Sequence, residues 1–309
     1  MNAKFARSRA LFLVFFLIWG IAACRPTGPS PETPVTASAA PASMSTSQQP
    51  AASPTPFQPS PTPLPLAALV NGDPITVADY QAELARFGAS IGAEPTPEQR
   101  EQTLQDLINQ HLLAQAAAEQ GFSADEAMVQ ARIEALTARL GGQQALMNWM
   151  AANGYTETTF RADLQRQIAA AWMRDQIIDA VPIVAEQVHA RQILHYNSDQ
   201  ANEALARLQA GASFETLAAE YDPVTEGELG WLPRGVLFDP ALEEALFSLA
   251  DGAASSVIQT LAGSHIVQVI ERDPQRPLEA EALRTLQVKA LADWLEARRA
   301  ASDIEIFNP

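Results

Sequence analysis

The chain has a single cysteine, Cys24, among 309 residues. A disulfide framework, a cysteine-based zinc site and a cysteine nucleophile in a folded core are therefore excluded. Basic residues are also few, because 20 Lys and Arg stand against 36 Asp and Glu, which gives a formal net charge of −16 at pH 7. Such an acidic chain repels a phosphate backbone, so nucleic acid is not an expected partner. The length corresponds to about two domains of ordinary size.

Residues 1–24 have the pattern of a secretory signal peptide. Three basic residues precede the apolar run 11–19, which is too short for a membrane-spanning helix of about 20 residues. The sequence that ends at Cys24 resembles the bacterial lipobox, whose cysteine is lipidated and becomes the mature N-terminus. This resemblance implies an extracytoplasmic protein held by lipid to the inner or the outer membrane. An uncleaved anchor with a chance cysteine is the alternative.

Residues 25–65 contain 12 of the 22 prolines together with many Ser, Thr and Ala residues. A segment of this composition lacks the apolar surface that offsets the entropy of ordering. It predicts a disordered spacer between the membrane and the folded part. A mucin-like stalk or a proline-motif ligand is the alternative interpretation.

The region 66–182 carries apolar residues at helical spacing, which predicts a helical domain. The dipeptide Asn71-Gly72 between short apolar segments indicates a β-hairpin at its start, and Thr76 is placed to cap the first helix. Ser123 opens a capping-box pattern that predicts the start of a further helix. His111 is the single histidine of this region, and we interpret it as a packing or surface residue.

Three sequence segments of this region are similar to the N-terminal chaperone domain of the bacterial foldases related to SurA and PrsA. They are Val70–Thr76, Leu107–Leu113 and the step from Gly154 to Leu164. The resemblance implies a domain that binds unfolded polypeptides. It also implies that the last helix, within 278–302, packs back on the helical domain.

The pattern changes in the region 186–272, where short alternating segments surround helical ones. This arrangement predicts a small antiparallel sheet with surrounding helices, so that the whole chain has an α+β fold. The predicted elements are strands 188–194, 256–259 and 265–270 and helices 198–209 and 214–220.

Four sequence segments in this region resemble the parvulin-type peptidyl-prolyl cis/trans isomerases, and they follow one another in the same order as in that family. They are Ala190–Leu194, Leu208–Tyr221, Gly227–Gly235 and Gly263–Val267. The resemblance implies catalysed rotation of X-Pro bonds, whose slow isomerisation limits folding. This chemistry implies no cofactor and no metal, since an apolar cup for the proline ring and polar groups that favour the twisted amide are enough.

The resemblance also implies the polar site residues. His265 matches the second histidine of the family, whereas the first histidine is replaced by Gln192, which cannot form a pair of imidazoles. His189 and His195 each lie three positions from Gln192, so on a regular strand they point to the opposite face. Asp222 matches the polar Asp-or-Cys position of the family, although a plain turn aspartate before proline is an equal alternative.

The substrate-binding residues implied by the resemblance are mostly apolar. Leu237 or Phe238, Leu242 and Phe247 fall where the family has its proline cup, and Thr260 falls at a hydroxyl position. For Phe247, an ordinary core role is the stronger interpretation. Because the polar positions depart from the family pattern, we expect a site that keeps the apolar cup but has fewer of the family's polar groups.

The leading hypothesis is a lipid-anchored foldase that isomerises X-Pro bonds in secreted or envelope polypeptides. The alternative hypothesis is a non-catalytic, peptide-binding chaperone with a degenerate parvulin site. A third hypothesis is an assembly or adhesion lipoprotein that uses the same fold as a scaffold.

Overall fold

A computed structural model describes residues 64–237 and 239–307. The signal sequence, most of the spacer, Cys24 and Phe238 lie outside the described residues. The helices are α1 Val77–Ile91, α2 Pro97–Glu119, α3 Glu126–Leu140, α4 Gln143–Ala152, α5 Glu157–Asp179, α6 Ser198–Gln209, α7 Phe214–Tyr221, α8 Pro240–Ser248 and α9 Ala280–Ala300. The strands are β1 Leu66–Val70, β2 Asp73–Thr76, β3 Val184–His195, β4 Glu228–Pro233, β5 Ile258–Gln259, β6 Ser264–Pro277 and β7 Ile304–Ile306.

The helical domain begins with the β1–β2 hairpin. Its turn places Asn71 at φ 53° and Gly72 at φ 83°, the left-handed conformation that an Asn-Gly turn adopts readily. Thr76 then caps α1 in a capping box with Asp79. The strand β7 pairs with the free edge of β1, so the order of this antiparallel sheet is β2-β1-β7. The two ends of the described chain therefore meet in one sheet.

The start of α3 differs from the prediction. Asp125, not Ser123, is the N-cap, because its carboxylate accepts a hydrogen bond from the backbone N–H of Met128 at 2.8 Å. The helix therefore begins two residues later than the predicted capping box. Ser123 and Asp125 both have a side-chain oxygen that can cap a helix, and Asp125 is the residue directly before the first helical residue, Glu126.

The second sheet has the antiparallel order β4-β3-β6-β5 and separates two apolar layers. One face packs against α8, and the opposite face packs against α6 and α7. The buried residues of the first layer are Val188, Ala190, Leu246, Phe247, Val267 and Val269. Those of the second layer are Ile193, Ala204, Phe214, Leu217, Ala218 and Ile266. This helical domain and small antiparallel sheet confirm the predicted α+β fold class.

The last helix, α9, lies against α2 and α5 of the helical domain. Leu291, Trp294 and Leu295 of α9 pack on the apolar cluster between those helices. The guanidinium of Arg299 donates hydrogen bonds to the side chains of Asn109 and Gln105 at 2.8 and 2.6 Å. Within the stretches 64–237 and 239–307, none of the helices combines the length and apolar character needed to cross a bilayer.

Candidate functional site

A chain of three side chains runs across the sheet at the junction of β3, β5 and β6. Gln192 pairs with Val267 in the β3–β6 ladder, and His265 stands two residues before Val267, so both side chains share one face. Oε1 of Gln192 lies 2.9 Å from Nδ1 of His265. Nε2 of the same imidazole lies 2.9 Å from Oγ1 of Thr260. The structure therefore brings three of the predicted site residues into direct contact.

These contacts define the tautomer of His265. Oε1 of Gln192 can only accept, so Nδ1 of His265 donates to it. Nε2 then accepts the hydroxyl proton of Thr260 when the imidazole is neutral. His265 is only 4% exposed, and this burial lowers its pKa below the usual value of 6.5, although the charge of Asp239 acts in the opposite direction. A neutral, oriented imidazole at pH 7 follows from both observations.

The turn between β5 and β6 holds the hydroxyl of Thr260 in place. Its oxygen accepts a hydrogen bond from the backbone N–H of Ala262 at 3.0 Å. Gly263 closes the turn through its carbonyl, which accepts from the N–H of Thr260 at 2.8 Å. A Cβ atom at Gly263 would lie 2.6 Å from the carbonyl oxygen of His195, so only glycine allows the turn to approach β3 this closely.

Asp222 lies in the neighbouring loop and holds that loop together. Its carboxylate accepts hydrogen bonds from the N–H groups of Val224 and Thr225 at 3.2 Å each and from the hydroxyl of Thr225. These hydrogen bonds, that of the Thr225 hydroxyl first, lower the pKa of Asp222. Among residues 64–237 and 239–307, no hydrogen bond joins Asp222 to Gln192 or His265. The geometry is that of an aspartate that organises a turn.

The Asp222 loop nevertheless touches the site through Gly227. The carbonyl of Gly227 accepts a hydrogen bond from the backbone N–H of Gln192 at 2.8 Å. Gly227 has φ 72°, and a Cβ atom there would collide with the carbonyl oxygen of Gln192. In the sequence, Gly227 belongs to a segment that resembles the family, but its hydrogen bond to the backbone of Gln192 could not be predicted. That hydrogen bond depends on the close approach of two backbone segments that are distant in the chain.

The predicted cup residues lie on the same face of the sheet as the polar chain. Leu237 and Leu242 are half-buried and pack against the layer that contains Val267. Phe247 is 7% exposed, and the guanidinium of Arg234 lies over its ring, with Cζ 4.1 Å from the ring centroid. Phe247 therefore belongs to the core beneath the cup. Phe238 lies outside the described residues.

No hydrogen bond within the described residues joins the imidazole of another histidine to this site. His189 stacks on Trp231 and its Nε2 lies 2.7 Å from Oε1 of Glu228. His195 contacts the ring of Tyr221 edge-on, with centroids 4.4 Å apart. His111 is 3% exposed in the helical domain, and burial lowers its pKa. No group of three His, Cys, Asp or Glu side chains within the described residues is arranged to hold a metal ion.

Two family models match the chain in sequence. The SurA-like N-terminal domain matches residues 50–174, and the PPIC-type PPIase domain matches residues 180–273. These matches define a two-domain protein in which a chaperone-type helical domain precedes an isomerase-type domain. The chain thus combines a SurA-like N-terminal domain with a PPIC-type parvulin domain, which confirms both resemblances seen in the sequence.

Curated relatives agree with this domain combination. The chain is 28% identical to the chaperone SurA of Albidiferax ferrireducens over 67% of this chain and 54% of that protein. It is 29% identical to a probable parvulin-type peptidyl-prolyl cis-trans isomerase of Bordetella bronchiseptica, over 77% of this chain and 92% of the relative. The foldase protein PrsA of Halalkalibacterium halodurans is 28% identical over 77% of this chain and 76% of its own length. The chain thus spans about half of the SurA relative and most of the other two.

Solved structures include PrsA of Bacillus cereus, which is 18% identical and covers 74% of this chain and 83% of its own. The TM-score is 0.43. The domain assignment accordingly depends on the family models and the curated sequences.

Proposed function

We propose that the protein is an extracytoplasmic, lipid-anchored foldase that binds unfolded secreted chains and isomerises their X-Pro bonds. The observation that carries this proposal is the Gln192–His265–Thr260 hydrogen-bond chain beside an apolar cup in a PPIC-type domain. The SurA-like domain and the relatives named as foldases and chaperones support the binding of unfolded clients.

Rotation of a peptide bond must overcome a barrier of about 18–20 kcal/mol, which arises from resonance between nitrogen and carbonyl. The twisted amide localises a lone pair on the prolyl nitrogen, so a donor aimed at this atom favours the transition state over the planar ground state. Gln192 can supply such a donor. Its Oε1 is held by His265, and no hydrogen bond within the described residues uses its Nε2 amide group.

Each residue then has a separate role. Thr260 orients the imidazole of His265, His265 fixes the amide plane of Gln192, and Nε2 of Gln192 faces the substrate amide. Leu237 and Leu242 form the apolar surface for the proline ring. Asp222 acts indirectly, because its turn carries Gly227 to the backbone of Gln192. No cofactor takes part in this scheme.

The test is prolyl isomerisation measured by NMR exchange with the purified chain. His265→Ala is expected to abolish activity, and Thr260→Val, which keeps the shape and removes the donor, is expected to lower it about tenfold, the value of one hydrogen bond near 1.4 kcal/mol. His189→Ala is the control, because His189 stacks on Trp231 away from the site. Equal activity in all four proteins would reject the assignment.

A non-catalytic chaperone is the second candidate, and the specific observation in its favour is the glutamine at position 192. Gln192→His separates the two functions. A catalytic site is expected to gain activity from the second imidazole, whereas a peptide clamp is expected to stay inactive while still keeping an unfolded client soluble.

We propose lipid anchoring at Cys24 and the domain limits 1–24, 25–65, 66–182, 186–272 and 278–302. Mass spectrometry of the membrane-bound protein tests the anchor. A diacylated Cys24 at the mature N-terminus is expected, and a mature chain that still begins at Met1 would contradict it.

A further inference from the structure

The half-buried face of α9 extends beyond its contact with the helical domain. Leu291, Trp294 and Leu295, in the C-terminal half, pack on the apolar cluster between α2 and α5. Leu283 and Leu286, in the N-terminal half, are also half-buried and continue the same face at helical spacing, but they do not belong to that cluster. Another part of the molecule therefore covers the start of α9.

Leu286 contacts the isomerase domain at Gly235. A Cβ atom at Gly235 would lie 3.0 Å from Cδ2 of Leu286, so the leucine side chain fills the space directly beside the glycine. Gly235 has φ 90°, a left-handed conformation that favours glycine. Both the backbone angle and the close approach of α9 thus require a residue without a side chain at this position.

Gly235 is also held from the side of the isomerase domain. Its backbone N–H donates a hydrogen bond to Oε2 of Glu243 on α8 at 2.6 Å. Leu242, one of the two described cup residues, directly precedes Glu243, and the other, Leu237, lies two positions after Gly235. Gly235 therefore connects the two segments that carry the cup residues.

The helix α9 joins this contact to the core of the helical domain. Its sequence from Ala280 to Ala300 contains neither glycine nor proline, so no residue of the kinds that commonly bend a helix interrupts it. Leu286 and Trp294 are eight residues apart, which is about 12 Å along the helix axis. A change in the packing of Trp294 on the helical domain is therefore expected to displace Leu286 at Gly235.

We propose that Leu286 is a positioning residue for the proline cup, and that α9 thereby makes the affinity of the cup depend on the packing of the helical domain. This inference rests on the proposed function and adds a structural control of the same site. Leu286 acts through Gly235, which it keeps in place beside Glu243. Without this support the segment that carries Leu237 gains conformational freedom, and ordering it again on binding a proline ring costs free energy.

Amide hydrogen exchange of the full chain, followed by NMR, tests the contact independently of catalysis. Leu286→Ala is expected to speed exchange of the Gly235 N–H about tenfold, because the segment opens locally more often, while the amides of β3 keep their rates. Leu286→Met, which nearly conserves the side-chain volume, is expected to restore slow exchange. Val288→Ala, at an exposed position on the same helix, is the matched control and is expected to exchange like the wild type.

Two results of the exchange experiment would overturn the proposal. One is an unchanged rate at Gly235 in Leu286→Ala. The other is an equal increase at Gly235 and throughout β3, because this would show a general loss of stability instead of a local effect.

Kinetics with a proline peptide, measured by NMR exchange, test the effect on the cup. Leu286→Ala is expected to raise KM about fivefold, as for the loss of part of a buried leucine surface. Its kcat is expected to stay unchanged, since the hydrogen bonds of the Gln192–His265–Thr260 chain lie within the sheet and its turn. Trp294→Leu, which keeps an apolar side chain in the helical domain, is expected to raise KM about twofold through the shift of α9. An unchanged KM in Trp294→Leu would overturn the coupling to the helical domain.

The outcomes separate this inference from the catalytic proposal. An unchanged KM in Leu286→Ala, with isomerisation still measurable, would overturn the positioning role and leave the proposed function intact. If the wild type does not isomerise the peptide, catalysis is rejected, and NMR titration with the same peptide replaces KM. Weaker binding in Leu286→Ala that Leu286→Met restores would support the inference, and equal or absent binding would overturn it.

Discussion

The guanidinium of Arg234 covers the ring of Phe247, with Cζ 4.1 Å from the ring centroid. Phe247 is therefore enclosed between a cation above and the apolar layer of the sheet below, and its ring surface is not free for a proline.

Phe247 is expected to contribute to stability rather than to binding. Phe247→Ala removes a buried aromatic side chain and is expected to cost about 3–5 kcal/mol of unfolding free energy. Urea unfolding measures this loss, with Leu237→Ala at a half-buried cup position as the comparison. A raised KM with unchanged unfolding free energy in Phe247→Ala would instead assign Phe247 to the cup surface.

Acid is expected to destabilise the protein through His265. Burial holds its folded-state pKa below the ordinary 6.5, so the unfolded chain takes up the proton first. Stability is therefore complete above pH 6.5 and falls as the pH decreases toward the folded-state pKa. Activity is expected to fall at lower pH than stability begins to do, as the imidazole of the folded protein is itself protonated, because a protonated Nε2 cannot accept from Thr260. His111 and His195 shift in the same direction for the same cause, so the measurement compares wild type with His265→Asn between pH 7.5 and 5. A pH slope identical in both proteins would refute the contribution of His265.

Two glycines with similar backbone angles are expected to respond differently to alanine. Gly227 has φ 72° and Gly230 has φ 73°, so both substitutions carry the cost of about 1–2 kcal/mol for a left-handed alanine. Only at Gly227 would the new Cβ also collide with the carbonyl of Gln192, whereas nothing lies within 4 Å at Gly230. Thermal unfolding and isomerase assays are expected to show the larger loss of both stability and activity in Gly227→Ala. Equal losses of stability and activity in Gly227→Ala and Gly230→Ala would mean that the loop around Gly227 shifts to accommodate the new Cβ atom.

The contact between α9 and α2 is expected to depend on Arg299. Its guanidinium donates to the Asn109 side chain and to both the side chain and the carbonyl of Gln105, at 2.6–3.0 Å. Arg299→Ala leaves these partly buried acceptors without a charged donor and is expected to cost about 1.5–3 kcal/mol in denaturant unfolding. Lys289→Ala on the same helix removes only an exposed pair with Asp293 and is expected to change little. Similar losses in both variants would argue against a specific role of Arg299.

Local signals in the sequence predicted much of this fold. The Asn71-Gly72 turn, the Thr76 cap and helix 198–209 appear as predicted, because each depends on residues close in the chain. Strand β4 was not predicted, since Gly230 interrupts its short apolar pattern and pairing with β3 forms it. Helix α8 was also missed, although Asp239 and Pro240 carry a readable N-terminal signal of cap and first-turn proline.

The sequence named the polar residues of the candidate site but could not predict which of them are in contact. The family phrases identified Gln192, His265 and Thr260, and their side chains do meet. Asp222 could not be assigned from sequence, because a catalytic and a turn aspartate before proline have the same pattern, and only the hydrogen bonds to Val224 and Thr225 distinguish them. The role of each residue in catalysis stays a prediction.

The pairing of β7 with β1 has a consequence for biosynthesis. Ile304 aligns with Val70, so the edge strand of the first sheet is translated only after the entire isomerase domain. Until β7 is synthesised, one edge of β1 in the N-terminal hairpin has unpaired backbone N–H and C=O groups. Strands of other polypeptides can pair with such an edge. Synthesis of β7 closes this edge, and a nascent chain arrested before residue 304 is expected to be more prone to aggregation than a chain that includes β7.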